Sequence, residues 1–382
     1  MPYTPRYARF APSPESECAL SRIVTITALA VAVTFSSAST ATSAVVSDSP
    51  ERTASVNGTV YSVKYVGGTV YIGGRFSSAR DSSGTVTRNN AAAIDAGTGQ
   101  LLRWNPNTNG AVRAIAAVPG GVAIGGEFGT VRGERHARLA VVTRTTGAPT
   151  SFSGSVNRTV RSLASDSRGR LFVGGQFTSA NGRARSGLAA FNGNTLTSWK
   201  PKAVGGTVRT LLRANGWVFV GGTFNSINGA SGSGYLAALK PSTGAVISSW
   251  NPQLSVPVND IDTGSTTAYV AADGRGGRLS AFKLSNGDRR WTVRADGGVQ
   301  ALTHWGSAVY FGGHFDHVET VSRRKLARVN TTSGALQAWN PRANSVPGVL
   351  ALDHNRTKLG VGGAFTTFKG GAISQPHFAQ FH

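Results

Sequence analysis

The chain has 382 residues and carries 39 Lys and Arg against 17 Asp and Glu, a net charge of +22. Its one cysteine, Cys18, lies ahead of the apolar run of an N-terminal leader and within that leader, so beyond it thiol catalysis, thiolate metal ligation and disulfides are excluded. With 49 glycines interleaved among 40% hydrophobic residues, the composition calls for many short strands and tight turns rather than disorder.

The first segment, residues 1–44, differs from everything after it. Arg6, Arg9 and Arg22 precede an apolar run from Ile23 to Val33, which gives way to a tract of Ser, Thr and Ala. Positive, then apolar, then small is the order of a secretory signal, with cleavage expected after Ala44 or Ala41. The run is too short for a membrane span of about 20 residues. Cys18 precedes the run instead of ending it, which argues against a lipoprotein. A secreted, extracellular protein is the expectation, with no membrane span in the mature chain.

From residue 45 onward one pattern returns. Gly-Gly-x-Phe occurs as Gly73-Gly74-Arg75-Phe76, Gly125-Gly126-Glu127-Phe128, Gly174-Gly175-Gln176-Phe177, Gly221-Gly222-Thr223-Phe224, Gly312-Gly313-His314-Phe315 and Gly362-Gly363-Ala364-Phe365. A degenerate copy begins at Ala271-Ala272-Asp273-Gly274. The period of about 50 residues is that of a repeated supersecondary unit. In the second copy, Val112–Val118 alternates, Pro119-Gly120-Gly121 turns, and residues 122–128, 139–143 and those after Thr146-Gly147 follow as further strands. Four antiparallel strands per unit, seven units and no helical periodicity predict an all-β fold. The expected form is a single seven-bladed β-propeller of four-stranded antiparallel blades over residues 45–382.

A second marker closes most units: Trp104-Asn105-Pro106, Trp199-Lys200-Pro201, Trp250-Asn251-Pro252 and Trp339-Asn340-Pro341. The fifth unit keeps Trp291 without the proline, and the second has Phe152. A large ring once per unit is expected to fill the space between sheets, while proline ends an outer strand where a missing N–H is tolerated. An aromatic sugar platform is the functional alternative. The paired glycines are expected where neighbouring sheets crowd the backbone. The last unit stops after its third strand near Phe378–Phe381, so residues from 45 to 57 are expected to supply its fourth strand and close the ring.

On these markers, Gly-Gly-x-Phe, a later turn such as Ala93-Ile94-Asp95-Ala96-Gly97-Thr98-Gly99 and Trp-Asn-Pro, residues 56–382 resemble the delta-sixty repeat β-propeller family of secreted bacterial proteins. The resemblance implies an extracellular propeller, often a module of surface proteins, with no activity common to all members and no catalytic residue to carry over. The glycine pair and later Trp are also similar to kelch repeats. The copper oxidases among those need a cysteine-linked tyrosine that is lacking here. Quinoprotein dehydrogenases resemble the chain in the same Asp and Gly turn before Trp, but only Gly287 to Trp291 has their spacing. No catalytic, cofactor-binding or metal-ligating residue is assigned, and no cofactor is expected.

Three constellations carry the remaining chemistry. His304, His314, Asp316, His317 and Glu319 gather donors suited to a metal, against the plainer reading of a polar loop beside a strand. Asp260 and Asp262 form the one close carboxylate pair, on one face of an inner strand near the expected axis. Arginines recur just before the third strand: Arg88, Arg185 and Arg323 at matching positions, with Arg132, Arg138, Arg183 and Arg324 in the same connection. They are the expected polyanion-binding rim. Few aromatics accompany them for base stacking, so acidic polysaccharide or cell-wall polymer, or a protein partner, is favoured over nucleic acid. The expectation is a monomeric, secreted, non-enzymatic binding module at the cell surface. The alternative is a propeller enzyme acting on extracellular glycan at the channel or loop face, marked by Asp260 and Asp262 converging with a His or Tyr.

Overall fold

The computed structural model describes residues 46–382; the leader, with Ala41 and Ala44, lies outside the described residues. Seven antiparallel meanders follow one another along the chain. Their first, inner strands are Val60–Val66, Val112–Val118, Val160–Ser165, Val208–Ala214, Val258–Thr263, Val299–Trp305 and Val349–His354. Each pairs with a second strand that ends on the glycine pair or its Ala271-Ala272 replacement, and this with a third strand. Inner strand packs on inner strand in chain order, and Val349–His354 packs on Val60–Val66. Among the described residues no helix is long and apolar enough to cross a membrane.

The two marker glycines have different physical causes. A Cβ on Gly125 would stand 2.5 Å from Cγ1 of Val160, the first residue of the next inner strand. The same clash recurs from Gly73 onto Val112, from Gly174 onto Val208, and from Gly362 back onto Val60. Here neighbouring sheets crowd the backbone, as expected. The second glycine instead faces the carbonyl preceding its own inner strand: Thr59 for Gly74, Ala111 for Gly126. That crowding lies within one sheet.

The outer edge is thinner than four full strands. Thr195–Leu196 and Arg289–Ala295 form a fourth ladder in the third and fifth meanders. Elsewhere the fourth position is a single bridge, Ile94 to Leu101, Val142 to Pro149, Leu239 to Val246 and Val329 to Leu336. In place of a ladder, the ring of Trp104 is fully buried and meets Tyr71 edge-on at 5.0 Å. Its indole N–H donates to Thr143 O in the next meander at 2.9 Å. Trp199 and Trp250 repeat the contact onto Lys240 and Lys283, and Trp291 onto Thr331. Such an edge-on pair adds roughly 0.5–1.5 kcal/mol beyond burial, and the donor is satisfied. These tryptophans are packing residues; no sugar-stacking face is exposed on Trp104, Trp199 or Trp250.

In the last meander the bridge partner of Gln380 is Glu51, and Ser47 donates its N–H to His382 O at 2.7 Å. Val46 is buried beside Phe365, Phe368 and Phe381.

Candidate functional site

A β-bulge recurs in every inner strand and decides what its second residue can do. Register shifts between Val60 and Ser62, Val112 and Ala114, Val160 and Ser162, Val208 and Thr210, and likewise in the other three. The extra residue is left out of the ladder and re-aimed. In chain order these residues are Tyr61, Arg113, Arg161, Arg209, Asn259, Gln300 and Leu350, and all seven line one cavity of about 510 Å³. The variable residue of the Gly-Gly-x-Phe marker joins them as Gln176, Thr223 and Asp273.

Three successive meanders thus place a guanidinium in one mouth. Arg113 Nε donates to Glu127 Oε1 at 2.6 Å and lies over the Tyr61 ring, 4.5 Å from its centroid. Glu127 Oε2 also accepts from Arg75 at 2.6 Å. Despite its burial, the bond and charge of Arg113, with Arg75 and Arg161 nearby, hold its carboxyl below the usual range. Arg209 Nη1 contacts Asp273 Oδ2 at 2.7 Å and Asn259 Oδ1 at 2.5 Å. Between them, Arg161 has no hydrogen-bond partner among the described residues, and its Nε is buried. Burial lowers its pKa, as do the charges of Arg113 and Arg209, with Glu127 opposing.

Behind the mouth, the carboxylates of the inner strands serve the backbone. Asp260 Oδ2 accepts from Leu302 N at 3.0 Å, while its Oδ1 accepts from Ile261 N and from the Thr210 hydroxyl. Asp262 Oδ2 accepts from His304 N at 2.8 Å, and Asp353 Oδ2 from Tyr65 N at 2.7 Å. Ser162 does the same for Leu211 N. In each case the acceptor reaches from one inner strand to an N–H on the next, a group with no ladder partner on that side. Burial is the main cause that pushes the Asp260 carboxyl up to about 7, with Asp262 adding to it. Asp260 and Asp262 are therefore engaged with backbone amides; His304, His354 and Tyr269 lie near enough to Asp262 for their charges to interact, but among the described residues no His or Tyr side chain hydrogen-bonds to either carboxylate.

Most of the arginines expected on a rim are tied to main-chain oxygens. Arg88 donates to Thr87 O and Leu102 O, Arg185 to Ala184 O and Thr197 O, and Arg323 to Ser322 O and Gln337 O. Each forks from the hairpin before the third strand to the outer segment, and burial lowers the pKa of all three. Arg132 donates to Asn105 O and Thr146 O, and Arg138 to Glu127 O. Arg183 and Arg324 are exposed.

The histidine-rich segment also disperses. His314 Nε2 accepts from Gly298 N, His317 pairs with Asp296, Asp316 with Lys325, and Glu319 accepts from Arg294 N. His304 stacks on Tyr269. Among the described residues no group of three His, Cys, Asp or Glu converges.

The mouth escaped sequence reasoning, although a signal was present. Arg113, Arg161 and Arg209 each follow the first valine of an inner strand at one repeat position. Alternation alone treats that position as one more strand residue; the bulge that redirects it involves no glycine or proline of its own.

No protein-family model matches the chain, and no curated protein matches it. Among solved structures, the WD40 β-propeller domain of Doa1 aligns with a TM-score of 0.59 at 11% identity, covering 87% of this chain and 96% of that one. The computationally designed Ika8 protein aligns with a TM-score of 0.56 at 13% identity, over 87% of this chain and 99% of its own. Identity this low speaks to fold alone. The chain is an all-β protein with a β-propeller fold.

Proposed function

We propose that the chain is a secreted, monomeric, non-enzymatic propeller of seven blades. Residues 46–56 close the ring, it is akin to the delta-sixty repeat proteins, and it binds an acidic glycan or cell-wall polymer at its axial mouth. The observation that carries this reading is the cluster of Arg113, Arg161 and Arg209, whose charge exceeds that of the carboxylates beside it. Support for a non-enzymatic role comes from Asp260 and Asp262, the pair best placed for acid and base work, which bind backbone N–H groups instead. The net charge of +22 favours encounter with polyanions, and the mouth supplies a place to hold them.

Chromatography of the protein on immobilised polygalacturonate and on neutral dextran tests the reading. Retention on the acidic polymer alone, falling steeply between low and moderate salt, is the expected result. Equal behaviour on the two columns overturns it.

A further inference from the structure

Resting on that reading of the mouth, we propose that Arg161 is the receptor for one oxyanion group of the ligand, the carboxylate of a uronic acid or an ester sulfate or phosphate. Three guanidiniums converge from successive inner strands, and two of them carry an internal counterion. Arg113 is held by Glu127 and Arg209 by Asp273, each by a charge-assisted bond. Arg161, between the two, has no ion pair or side-chain hydrogen bond among the described residues; its buried Nε lacks a partner, as do those of Arg88, Arg185 and Arg323, but in those three the terminal nitrogens bond main-chain oxygens. Half-burying a cation among two others is costly unless an anion compensates it. A guanidinium is also the side chain best shaped to grip a planar or tetrahedral oxyanion through two parallel N–H donors.

The neighbours suit such a ligand. Gln300 brings an amide to the same mouth, able to meet a hydroxyl that flanks a sugar carboxylate, while the Asn259 amide is already bonded to Arg209, Asp273 and Val299 O. Glu127 is shared by Arg75 and Arg113, so it fixes how much positive charge the mouth presents. A polymer is thus recognised by one anionic group inserted at the axis, with the rest of the chain running over the face.

Isothermal titration at low salt with glucuronate, sodium sulfate, phosphate and glucose tests the assignment, each arm separating one source of the oxyanion. Wild-type protein is expected to bind at least one of the three anions and to ignore glucose. R161Q is expected to weaken that binding at least tenfold, and R161K to weaken it too, since the ammonium keeps the charge and loses the fork. E127Q is expected to strengthen it severalfold by freeing positive charge at Arg113, a gain that misfolding cannot produce. Wild-type affinity in R161Q, or no anion bound by the wild type, overturns the assignment. The two readings fail separately. Loss of anions in R161Q with unchanged polymer retention removes the polymer reading of the mouth, whereas polymer retention by a wild type blind to all three anions removes Arg161 as receptor.

Discussion

The indole of Trp339 donates its N–H to the carbonyl of Ser47 at 2.8 Å, across a separation of 292 residues. Each earlier tryptophan of the repeat makes this bond to the turn of the following meander. For Trp339 the acceptor is instead Ser47, near the start of the described residues. The relationship repeats in Glu51, which bridges Gln380 and pairs with Lys358 at 2.6 Å.

Replacing Trp339 by Phe should keep most of the packing and lose the donor, costing about 1 kcal/mol, whereas Trp339→Ala should cost roughly 3–5 kcal/mol. Urea unfolding followed by tryptophan fluorescence of the remaining rings measures both. Equal losses would mean the hydrogen bond to Ser47, not the ring, holds the segment.

Gly125→Ala should destabilise by roughly 1–3 kcal/mol, since its Cβ meets a buried Val160 that cannot retreat. Val160→Ala vacates that space. A double-mutant cycle should therefore show the pair less destabilised than the sum of the singles. Additive losses would place the cost of the alanine elsewhere.

Asp260 predicts a pH dependence of stability. Its folded pKa is raised to about 7 from 3.8, so the folded state binds the proton more tightly than the unfolded one. The contribution is fully present below the unfolded value and is lost as pH rises through the folded one, so this residue makes stability decline between about pH 4 and 7. D260N keeps an oxygen for Leu302 N and has no charge to bury. Its stability should fall less than the wild type's over that window, measured as denaturation midpoints at several pH values. Parallel curves for the two proteins would refute the role of Asp260.

Arg185 and Arg183 lie close in sequence and should behave differently. Arg185→Gln removes donors from Ala184 O and Thr197 O and should cost about 1.5–3 kcal/mol. Arg183→Gln, at an exposed site, should stay within about 0.5 kcal/mol of the wild type. Thermal melts of the two variants decide whether this arginine position serves the scaffold.

Much of the scaffold is legible in local sequence because its causes are local. Residues such as Val112–Val118 and Leu139–Val142 alternate and are bounded by Gly and Pro turns, so strand bounds follow from period and punctuation. The tryptophans and the first marker glycines follow from repetition, since a residue that returns in every unit answers a demand common to every unit. The thin outer edge was not legible: a buried indole and a proline replace ladder bonds, and neither shows how many bonds remain.

The site divides along the same line. Sequence by itself determined the charge, the repeat and the residues available at each repeat position, because these are properties of the chain read in order. Only the tertiary structure decided that Arg88, Arg185 and Arg323 turn onto carbonyls, that Asp260 and Asp262 cap amides of the next strand, and that Arg161 stands unpaired among the described residues between Arg113 and Arg209. Those outcomes depend on a bulge and on neighbours about fifty residues away, and a guanidinium's role is set by the partners within hydrogen-bond reach, which linear order does not state.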